Sequence, residues 1–477
     1  MVVAITIEPA VAHSAAVQHT AWMTVNMLCR LEKVVDSVWV DCPADIELAG
    51  RINPLAQAAQ TLSATLVDGA RSIGVVPMHL ASTPPAHAIL LTIGPGDSVP
   101  NGWRVYGEGW WGGIALMGPI TSESKSDLPF GPYIAACFAV AEVFKTSRMV
   151  PEDYTPAERV FYSTWSHVAG TEPDPSGPTE LKHLRVAWTL AGVGAVGATC
   201  LHAMWACQGL TGDVALNDGD SEGIDGTNLN RYLLFGHGDV GKQKASTAAG
   251  RLHGIELKFD PHDEPFEIAS VPKDSILCAV DTNGARSAVQ STYPTRLLMA
   301  STKDLRAELV RCDPRSDGPC ARCYNADAPK PSDRELRDRV QQMSEPDRQR
   351  LAALVGVSDE EAMQWATTGK CGVAGERVRD ALLAGDNDAL FSVPFVSCAA
   401  GTMLAAEACK EAMGAVTPLS PQAPRATLQF WNPAASSNGG GPYRRDPACP
   451  MCQPGTIATT VWTQRCASAS RRSDRST

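Results

Sequence analysis

Long apolar runs, a basic leader and an excess of positive charge are all missing from this 477-residue sequence. No segment reaches the roughly 18 consecutive apolar residues that a membrane-spanning helix requires. The opening residues, MVVAITIEPAVAHSAA, also lack the basic region and the longer apolar run of a secretory signal peptide. We therefore expect a cytoplasmic protein with no membrane partner.

Basic residues are outnumbered, with 41 Lys and Arg against 52 Asp and Glu and a net charge of -11. Because nucleic-acid-binding surfaces need basic patches, we expect no nucleic-acid partner. The length suffices for two or three domains. In a reducing compartment, the pairs among the 15 cysteines are expected to bind metal or do chemistry rather than form disulfides.

A glycine-rich turn lies near the middle of the chain. In LRVAWTLAGVGAVGATC, residues 184–200, an apolar run is followed by Gly192, Gly194 and Gly197 in G-x-G-x-x-G spacing. Such a turn lets the backbone approach a phosphate at the positive end of the next helix. Asp218 and Asp220 follow at a distance where an acid can bind the ribose of either NAD or ATP. The turn alone leaves the nucleotide open.

The next segment favours ATP. TNLNRYLLFGHGDVGKQKA, residues 227–245, contains Asn228, Arg231 and Lys244. A hydride-transferring enzyme does not need two cations there, whereas attack of a carboxylate on an α-phosphate develops negative charge that cations and a metal ion neutralise. Asp281, in CAVDTNGAR at the predicted end of a third strand, is a suitable carboxylate for Mg²⁺.

The order of predicted elements indicates two related halves. Strands and helices alternate over residues 181–310, which predicts a parallel α/β sheet, whereas residues 332–385 are charged and helical in period. PFGPYIAACFAVAEVFK from Pro129 aligns without gaps on PFVSCAAGTMLAAEACK from Pro394, with six identities. EPAVAHS stands where the second half has AGVGAVG. We interpret the first half as a degenerate copy of the second.

Taken in order, AGVGAVG, NDGD, NLNR, GKQKA, VDTN, GPCARC and PFVSCAAGTMLAAE resemble the ThiF-type adenylating enzymes, which activate ubiquitin, ubiquitin-like proteins and sulfur carriers. The resemblance spans residues 184–410, and CPMC follows later. It implies a Rossmann-like adenylation fold in a pseudo-dimer of an inactive and an active half. It also implies a site in which Asp218 or Asp220 holds the ribose, Gly192, Gly194, Gly197, Asn228, Arg231 and Lys244 bind the phosphates, and Asp281 holds Mg²⁺.

Two details of that site are open. Tyr232 stands where the family usually has Gln, which leaves the detail of the phosphate pocket undefined. The family also commonly completes its ATP site with an arginine from the inactive half. Arg30, Arg51 and Arg71 are the candidates, and none of them lies in a recognisable motif.

Two Cys-x-x-Cys pairs, Cys320/Cys323 and Cys449/Cys452, predict one closed, structural zinc site. Cys371 lies in a glycine-flanked turn beside Lys370 and ahead of a predicted helix, where a thiol's pKa is lowered. Its insertion resembles the part of ubiquitin-activating enzymes that carries the thioester-forming cysteine. Cys371 is therefore the candidate nucleophile; Cys398, or no catalytic cysteine at all, are the alternatives.

The predicted segments follow from these observations. They are an inactive adenylation-like domain at 1–150, a linker at 151–182, an active ATP-binding domain at 183–323, a helical insertion at 324–390, a return of the active domain at 391–435, a zinc-closing segment at 436–466 and a disordered tail at 467–477.

The resemblance implies an ATP-dependent enzyme that adenylates the C-terminal glycine of a ubiquitin-like protein, forms a thioester and passes the protein to an E2-like conjugating enzyme. It also implies a bacterial setting like that of ubiquitination systems linked to antiphage defence. The alternative is adenylation of a sulfur carrier without a thioester. A nicotinamide oxidoreductase and a non-catalytic scaffold are disfavoured by Asn228, Arg231 and Lys244. A homodimer of the single-chain pseudo-dimer is left open.

Overall fold

The computed structural model describes residues 1–123, 125–148, 155–316, 318–324, 332–369, 373–385, 393–415, 419–439 and 444–473. The chain divides into two compact units. The larger comprises Met1–Tyr324 with Ser392–Thr477, and the smaller comprises Asn325–Phe391. Among the helices within these ranges, none is both long enough and apolar enough to cross a membrane.

The larger unit contains two mixed sheets of eight strands each. The first sheet consists of β1 (Val2–Ile7), β2 (Ser37–Asp41), β3 (Met78–Leu80), β4 (Ile89–Ile93), β5 (Gly102–Glu108), β6 (Trp111–Ala115), β7 (Arg159–Ser163) and β8 (Val168–Gly170). The second consists of β9 (Leu184–Ala191), β10 (Leu210–Asn217), β11 (Leu257–His262), β12 (Ser275–Cys278), β13 (Arg296–Lys303), β14 (Arg306–Arg311), β15 (Arg425–Gln429) and β16 (Ser437–Gly439).

Twelve helices accompany these strands in the described residues. They are α1 (Ala15–Leu28), α2 (Leu62–Ile73), α3 (Phe130–Arg148), α4 (Ala195–Ala206), α5 (Lys244–Arg251), α6 (Asn283–Ser291), α7 (Asp333–Gln342), α8 (Glu345–Val355), α9 (Asp359–Thr368), α10 (Val373–Gly385), α11 (Pro394–Ala412) and α12 (Ile457–Ser473).

The two sheets have the same topology. Their strand orders are β3-β2-β1-β4-β5-β6-β7-β8 and β11-β10-β9-β12-β13-β14-β15-β16. In each, the first five strands in the order are parallel and the last three are antiparallel. The predicted fold class, an α/β protein of two related halves, is confirmed. We call residues 1–170 the N-terminal half and the second sheet with its helices the C-terminal half.

The helices that the sequence alignment paired occupy equivalent places, since α3 connects β6 to β7 and α11 connects β14 to β15. Every described residue of α11 from Pro394 to Lys410 is buried, as expected for a helix that is apolar on all sides. α11 packs against both α4 and α3. Gly401 permits this approach, because a Cβ there would lie 2.4 Å from the carbonyl oxygen of Val196.

Two buried lysines, each paired with a glutamate of its own helix, join the halves symmetrically by donating to backbone carbonyls. Lys145 Nζ lies 2.5 Å from a Glu142 carboxylate oxygen and donates to the carbonyl of Phe430, at 2.9 Å. Lys410 Nζ lies 2.5 Å from a Glu407 carboxylate oxygen and donates to the carbonyl of Thr164, at 2.8 Å. Phe430 follows β15 and Thr164 follows β7, so each lysine reaches the equivalent position of the opposite half.

The smaller unit contains helices α7 to α10. Ser332, Ser344 and Ser358 cap three of these helices with their side-chain oxygens, as serine does at a helix N-terminus. Leu336, Val340, Ala362, Trp365, Val378 and Leu382 are among the residues of its own small core.

Two boundaries differ from those predicted, and one strand was not predicted. The segment 151–182, predicted as a linker, contributes β7 and β8 to the first sheet, and the Trp110 indole donates to the Pro178 carbonyl at 2.8 Å. β11 was not predicted, because its sequence LKFDPH has three polar residues and a proline. α12 continues to Ser473, into the tail predicted to be disordered from residue 467. The indole of Trp462 anchors this helix by donating to the Pro294 carbonyl at 2.7 Å.

Candidate nucleotide site and metal centre

The glycine-rich turn lies between β9 and α4, as its sequence predicts. Gly192 adopts a φ of 92°, a conformation that favours glycine, and its N–H donates to the carbonyl of Asn217 at the end of β10. A Cβ on Gly197 would lie 1.9 Å from the carbonyl oxygen of Gly192. The turn therefore requires these glycines, and it places the N-terminus of α4 at the carboxyl edge of the sheet, where an anion is stabilised.

Asp218, Asp220 and Lys244 lie together beside this turn. Asp218 accepts a hydrogen bond from the Val193 N–H at 2.7 Å. Lys244 Nζ lies 2.5 Å from Asp220 and 3.8 Å from Asp218. The sequence separates the lysine from both acids by more than twenty residues, and the fold brings them into one cluster.

The electrostatics of the cluster favour a charged lysine. Burial lowers the pKa of Lys244, but Asp218 and Asp220 outweigh this effect and leave that pKa above its usual value. Burial raises the pKa of Asp218 although Lys244 opposes the shift. The hydrogen bond from Lys244 lowers the pKa of Asp220. One nearly buried cation thus faces the turn with two carboxylates around it.

Tyr232 connects the turn to both cations. Its ring centroid lies 5.6 Å from the Arg231 guanidinium carbon and 5.7 Å from Lys244 Nζ, distances at which cations interact with aromatic rings. A Cβ on Gly194 would lie 4.0 Å from its hydroxyl. The sequence comparison flagged Tyr232 only as a departure, whereas the structure places it between the glycine turn, Arg231 and Lys244.

Asn228 and Asp281 complete the predicted set. Asn228 ends a short 3-10 helix, Gly226–Asn228, and its carbonyl accepts from the Arg231 N–H at 3.1 Å. Asp281 lies three residues beyond Cys278, the end of β12, and directly before Thr282, which caps α6. Since β12 pairs in parallel with β9, Asp281 is at the same sheet edge as the glycine turn, and it is exposed there.

The three candidate crossing arginines have different positions. Arg30 is buried and donates to the carbonyls of Leu229 and Phe235 in the C-terminal half. Arg51 donates to the carbonyls of Trp205 and Cys207 at the end of α4. Arg71 is exposed and pairs with Asp68 in its own helix. Two of the three therefore cross between the halves, and both bind backbone carbonyls.

The equivalent turn of the N-terminal half is closed. A short 3-10 helix, Pro9–Val11, replaces the glycine turn after β1. The Glu8 carboxylate lies 3.4 Å from Arg104, and a Cβ on Gly94 would lie 2.8 Å from Glu8 Cβ. An acidic side chain thus occupies this end of β1, where the C-terminal half has glycine.

The four predicted zinc ligands meet in one cluster. The Sγ atoms of Cys320 and Cys449 are 3.8 Å apart, as are those of Cys323 and Cys452, and all four lie within 4.8 Å of one another. A tetrahedral zinc ion with Zn–S distances of about 2.3 Å separates its sulfurs by about 3.8 Å. The four sulfurs therefore fit one structural metal ion of this kind.

The candidate nucleophile Cys371 lies outside the described residues. Its alternative, Cys398, is fully buried in α11, as is Cys137 in α3. In that position Cys398 packs in the core between the halves.

The fold and this site define a class of protein. Residues 171–438, more than half of the chain, match the model of the ThiF family, and the chain belongs to that family. Residues 2–159 match the model of the BilD N-terminal domain.

Individual relatives are more distant. The chain is 26% identical over 321 residues to the uncharacterized protein y4jF of Sinorhizobium fredii, covering 64% of this chain and 56% of that protein. It is 28% identical over 178 residues to the SAMP-activating enzyme E1 of Haloferax volcanii, covering 35% and 62%. The chain thus spans little more than half the length of these curated relatives. Crystal structures of Escherichia coli MccB have TM-scores of 0.37 and 0.38 at 18% identity, covering 56% and 58% of this chain and 67% of theirs; at this level the likeness adds nothing to the fold described above.

Proposed function

We propose that this chain is an ATP-dependent adenylating enzyme that activates the C-terminal glycine of a ubiquitin-like protein. The observation that carries the proposal is the cluster of Lys244, Arg231 and Tyr232 around the glycine turn, with Asp218 and Asp220 beside it. Membership of the ThiF family supports the same reaction class.

The proposed chemistry uses the charges of the site. An oxygen of the glycine carboxylate attacks the α-phosphorus of ATP, the bond from that phosphorus to the bridging oxygen breaks, and pyrophosphate leaves with the electron pair. Arg231 and Lys244 stabilise the negative charge that develops on the phosphates. Asp220, exposed beside Lys244, or Asp218 would hold the ribose.

Two metal ions belong to the proposal. Asp281 would hold Mg²⁺, which supplies charge neutralisation on the phosphates. Cys320, Cys323, Cys449 and Cys452 would hold one Zn²⁺, whose chemistry is structural because four thiolates leave no open position.

The step after adenylation distinguishes two versions of the function. In the first, the Cys371 thiolate attacks the acyl-adenylate carbonyl, AMP leaves, and the resulting thioester passes to an E2-like conjugating enzyme. The sequence resemblance supports this version and a place in a bacterial ubiquitination-like system linked to antiphage defence. In the second, the acyl-adenylate of a sulfur carrier is the product and no thioester forms.

Pyrophosphate exchange tests the adenylation step. The full chain is incubated with ATP, Mg²⁺, labelled pyrophosphate and a small glycine-ending protein encoded beside its own gene. Lys244→Ala should reduce exchange by about 100-fold, the loss seen when one preorganised transition-state donor is removed. Lys242→Ala is the matched control, because this lysine is two positions away, is largely exposed and pairs with Asp239. Equal activity of the two variants would contradict the assigned site.

The same reaction separates the two versions. A covalent adduct that is cleaved by thiol reductant and lost in Cys371→Ala supports the thioester. Exchange without any adduct supports the sulfur-carrier version, and an adduct that survives Cys371→Ala shows that another residue is the nucleophile.

A further inference from the structure

Two polar side chains of the N-terminal half, Asn26 in the last turn of α1 and Arg30 just beyond it, bind backbone carbonyls of the C-terminal half. Arg30 is 1% exposed, and its guanidinium donates to Leu229 O at 2.6 Å and to Phe235 O at 2.8 Å. Its Nε donates to the Asn26 side-chain oxygen at 2.8 Å, and the Asn26 amide donates to Leu233 O at 2.9 Å. Asn26 and Arg30, one helical turn apart, thus bind three carbonyls of one segment.

That segment is the phosphate-binding part of the proposed site. The bound carbonyls at 229, 233 and 235 bracket Arg231 and Tyr232. The segment makes few backbone bonds of its own: Leu229 N–H donates to Gly226 O at 3.3 Å, and Arg231 N–H and Phe235 N–H donate to Asn228 O and Tyr232 O, both at 3.1 Å. Neither a helix nor a strand fixes its conformation, so Asn26 and Arg30 supply bonds that regular structure would otherwise supply.

Burying the charged guanidinium of Arg30 costs desolvation free energy that an apolar side chain would not cost. Burial lowers the pKa of Arg30 to about 9, and Asp239 favours its charged form while Arg251 opposes it. The hydrogen-bond partners of Arg30 in the described structure are all neutral oxygens. An apolar side chain of similar volume would avoid this desolvation cost, whereas the planar guanidinium binds two carbonyls six residues apart in a fixed geometry.

We infer that Asn26 and Arg30 are positioning residues for the nucleotide site, which hold the segment 229–235 so that Arg231 and Tyr232 face the glycine turn. The inference rests on the proposed function, since it assigns Arg231 to the phosphates. It also gives the N-terminal half a defined role, because Asn26 and Arg30 support the site through the backbone carbonyls of the segment 229–235.

Binding of ATP with Mg²⁺ to the full chain, measured by calorimetry, tests this inference. Arg30→Lys keeps the charge but cannot bind both carbonyls, and it should raise the Kd by at least about tenfold, the equivalent of one charged hydrogen bond. Asn26→Ala, which removes one neutral bond, should raise the Kd several-fold.

Arg104→Lys is the matched control. Arg104 is also a buried arginine of the N-terminal half, and it donates to the carbonyls of Gly94, Pro95 and Asp97 within that half. This variant should lose thermal stability as Arg30→Lys does but keep the wild-type Kd.

Two further measurements separate positioning from general destabilisation. Hydrogen exchange at the amides of 229–235 should accelerate in Arg30→Lys and not in Arg104→Lys. In an Arg231→Ala background, Arg30→Lys should raise the Kd by a clearly smaller factor than in the wild-type background, because one of the two side chains that it positions has been removed.

The outcomes are distinguishable. A wild-type chain that does not bind ATP refutes the proposed function and the inference with it. A wild-type chain that binds ATP, with Arg30→Lys indistinguishable from Arg104→Lys in Kd, overturns the inference alone. If Arg30→Lys does not fold, a folded Asn26→Ala with wild-type Kd and wild-type exchange at 229–235 also overturns it.

Discussion

At the scale of single residues, Asp218 has a structural bond as well as a proposed ligand role. Its carboxylate accepts from the Val193 N–H in the middle of the glycine turn and lies 3.8 Å from Lys244. The sequence indicated an acid at this point but left Asp218 and Asp220 equivalent. The structure separates them, because Asp218 is nearly buried under the turn whereas Asp220 is 43% exposed.

This difference predicts unequal effects of removing the two carboxylates. Asp218→Ala removes the acceptor of the Val193 N–H and should lower the free energy of unfolding by roughly 1–3 kcal/mol. Asp220→Ala, at an exposed ion pair, should lower it by less than about 1 kcal/mol. Denaturant unfolding of both variants measures the two losses of unfolding free energy. Equal losses would show that the bond from the Val193 N–H to Asp218 does not stabilise the fold more than the exposed ion pair does.

At the scale of elements, the sequence predicted the glycine-turn strand and helix well and the N-terminal equivalent only by comparison. The G-x-G-x-x-G spacing by itself indicates a tight turn, because the backbone there leaves no room for a Cβ atom at Gly192 or Gly197. EPAVAHS contains no glycine and therefore shows no such requirement. The surroundings of its 3-10 helix include Gly94 and Arg104, which are distant in sequence and contact Glu8.

The two Cys-x-x-Cys turns lead to a prediction about the last helix. One turn is at 320–323, and the other lies in the segment before α12. In α12, Trp462 and Arg465 donate to the carbonyls of Pro294 and Thr292. We expect about one zinc per freshly purified chain. Cys452→Ser should lose most of the metal and lower the Tm, because the metal closes the C-terminal segment onto the sheet.

Cys312→Ser controls for loss of a buried thiol in the same core, since Cys312 is buried near the four sulfurs but is not one of them. It should retain the zinc. Metal analysis and thermal unfolding check both variants, and less than half a zinc per wild-type chain would rule out the assignment.

At the scale of the whole molecule, three histidines are buried where the N-terminal and C-terminal halves pack together: His19, His167 and His202. His19 of α1 faces His202 and Arg51, His202 of α4 faces Arg30 and the Ile52 carbonyl, and His167 bonds Tyr162, Glu407 and Lys410. Burial is the main cause that lowers the pKa of His19 to about 3 and those of His167 and His202 to about 4. All three side chains are therefore neutral in the folded chain near neutral pH.

The sign of the resulting pH dependence follows from linkage. Between pH 6.5 and 4 the unfolded chain binds protons at these histidines that the folded chain does not, so stability falls as the pH falls. Each histidine should contribute on the order of 2 kcal/mol of loss at pH 5. His167→Gln should flatten the profile of Tm against pH. His253→Gln, at an exposed ring, is the control and should leave the profile unchanged. An unchanged Tm from pH 7 to pH 5 would contradict the buried, neutral assignment.

The sequence by itself determined the fold class, the glycine turn and the four cysteines that cluster, and it named the charged residues of the candidate nucleotide site. These features depend on local backbone requirements or on short fixed spacings. The aligned helices share identical residues, which include Glu142, Lys145, Glu407 and Lys410. The sequence did not indicate that the two lysines bond across the halves.

Only the tertiary structure decided which residues meet. Lys244 approaches Asp218 and Asp220, Tyr232 lies under both cations, and Arg30 binds the carbonyls of Leu229 and Phe235. Bonds from side chains to backbone carbonyls leave no trace in sequence, because every residue type offers the same acceptor. For that reason the sequence could name Arg30 as a candidate to cross between the halves but could not say that it binds the carbonyls of the segment 229–235.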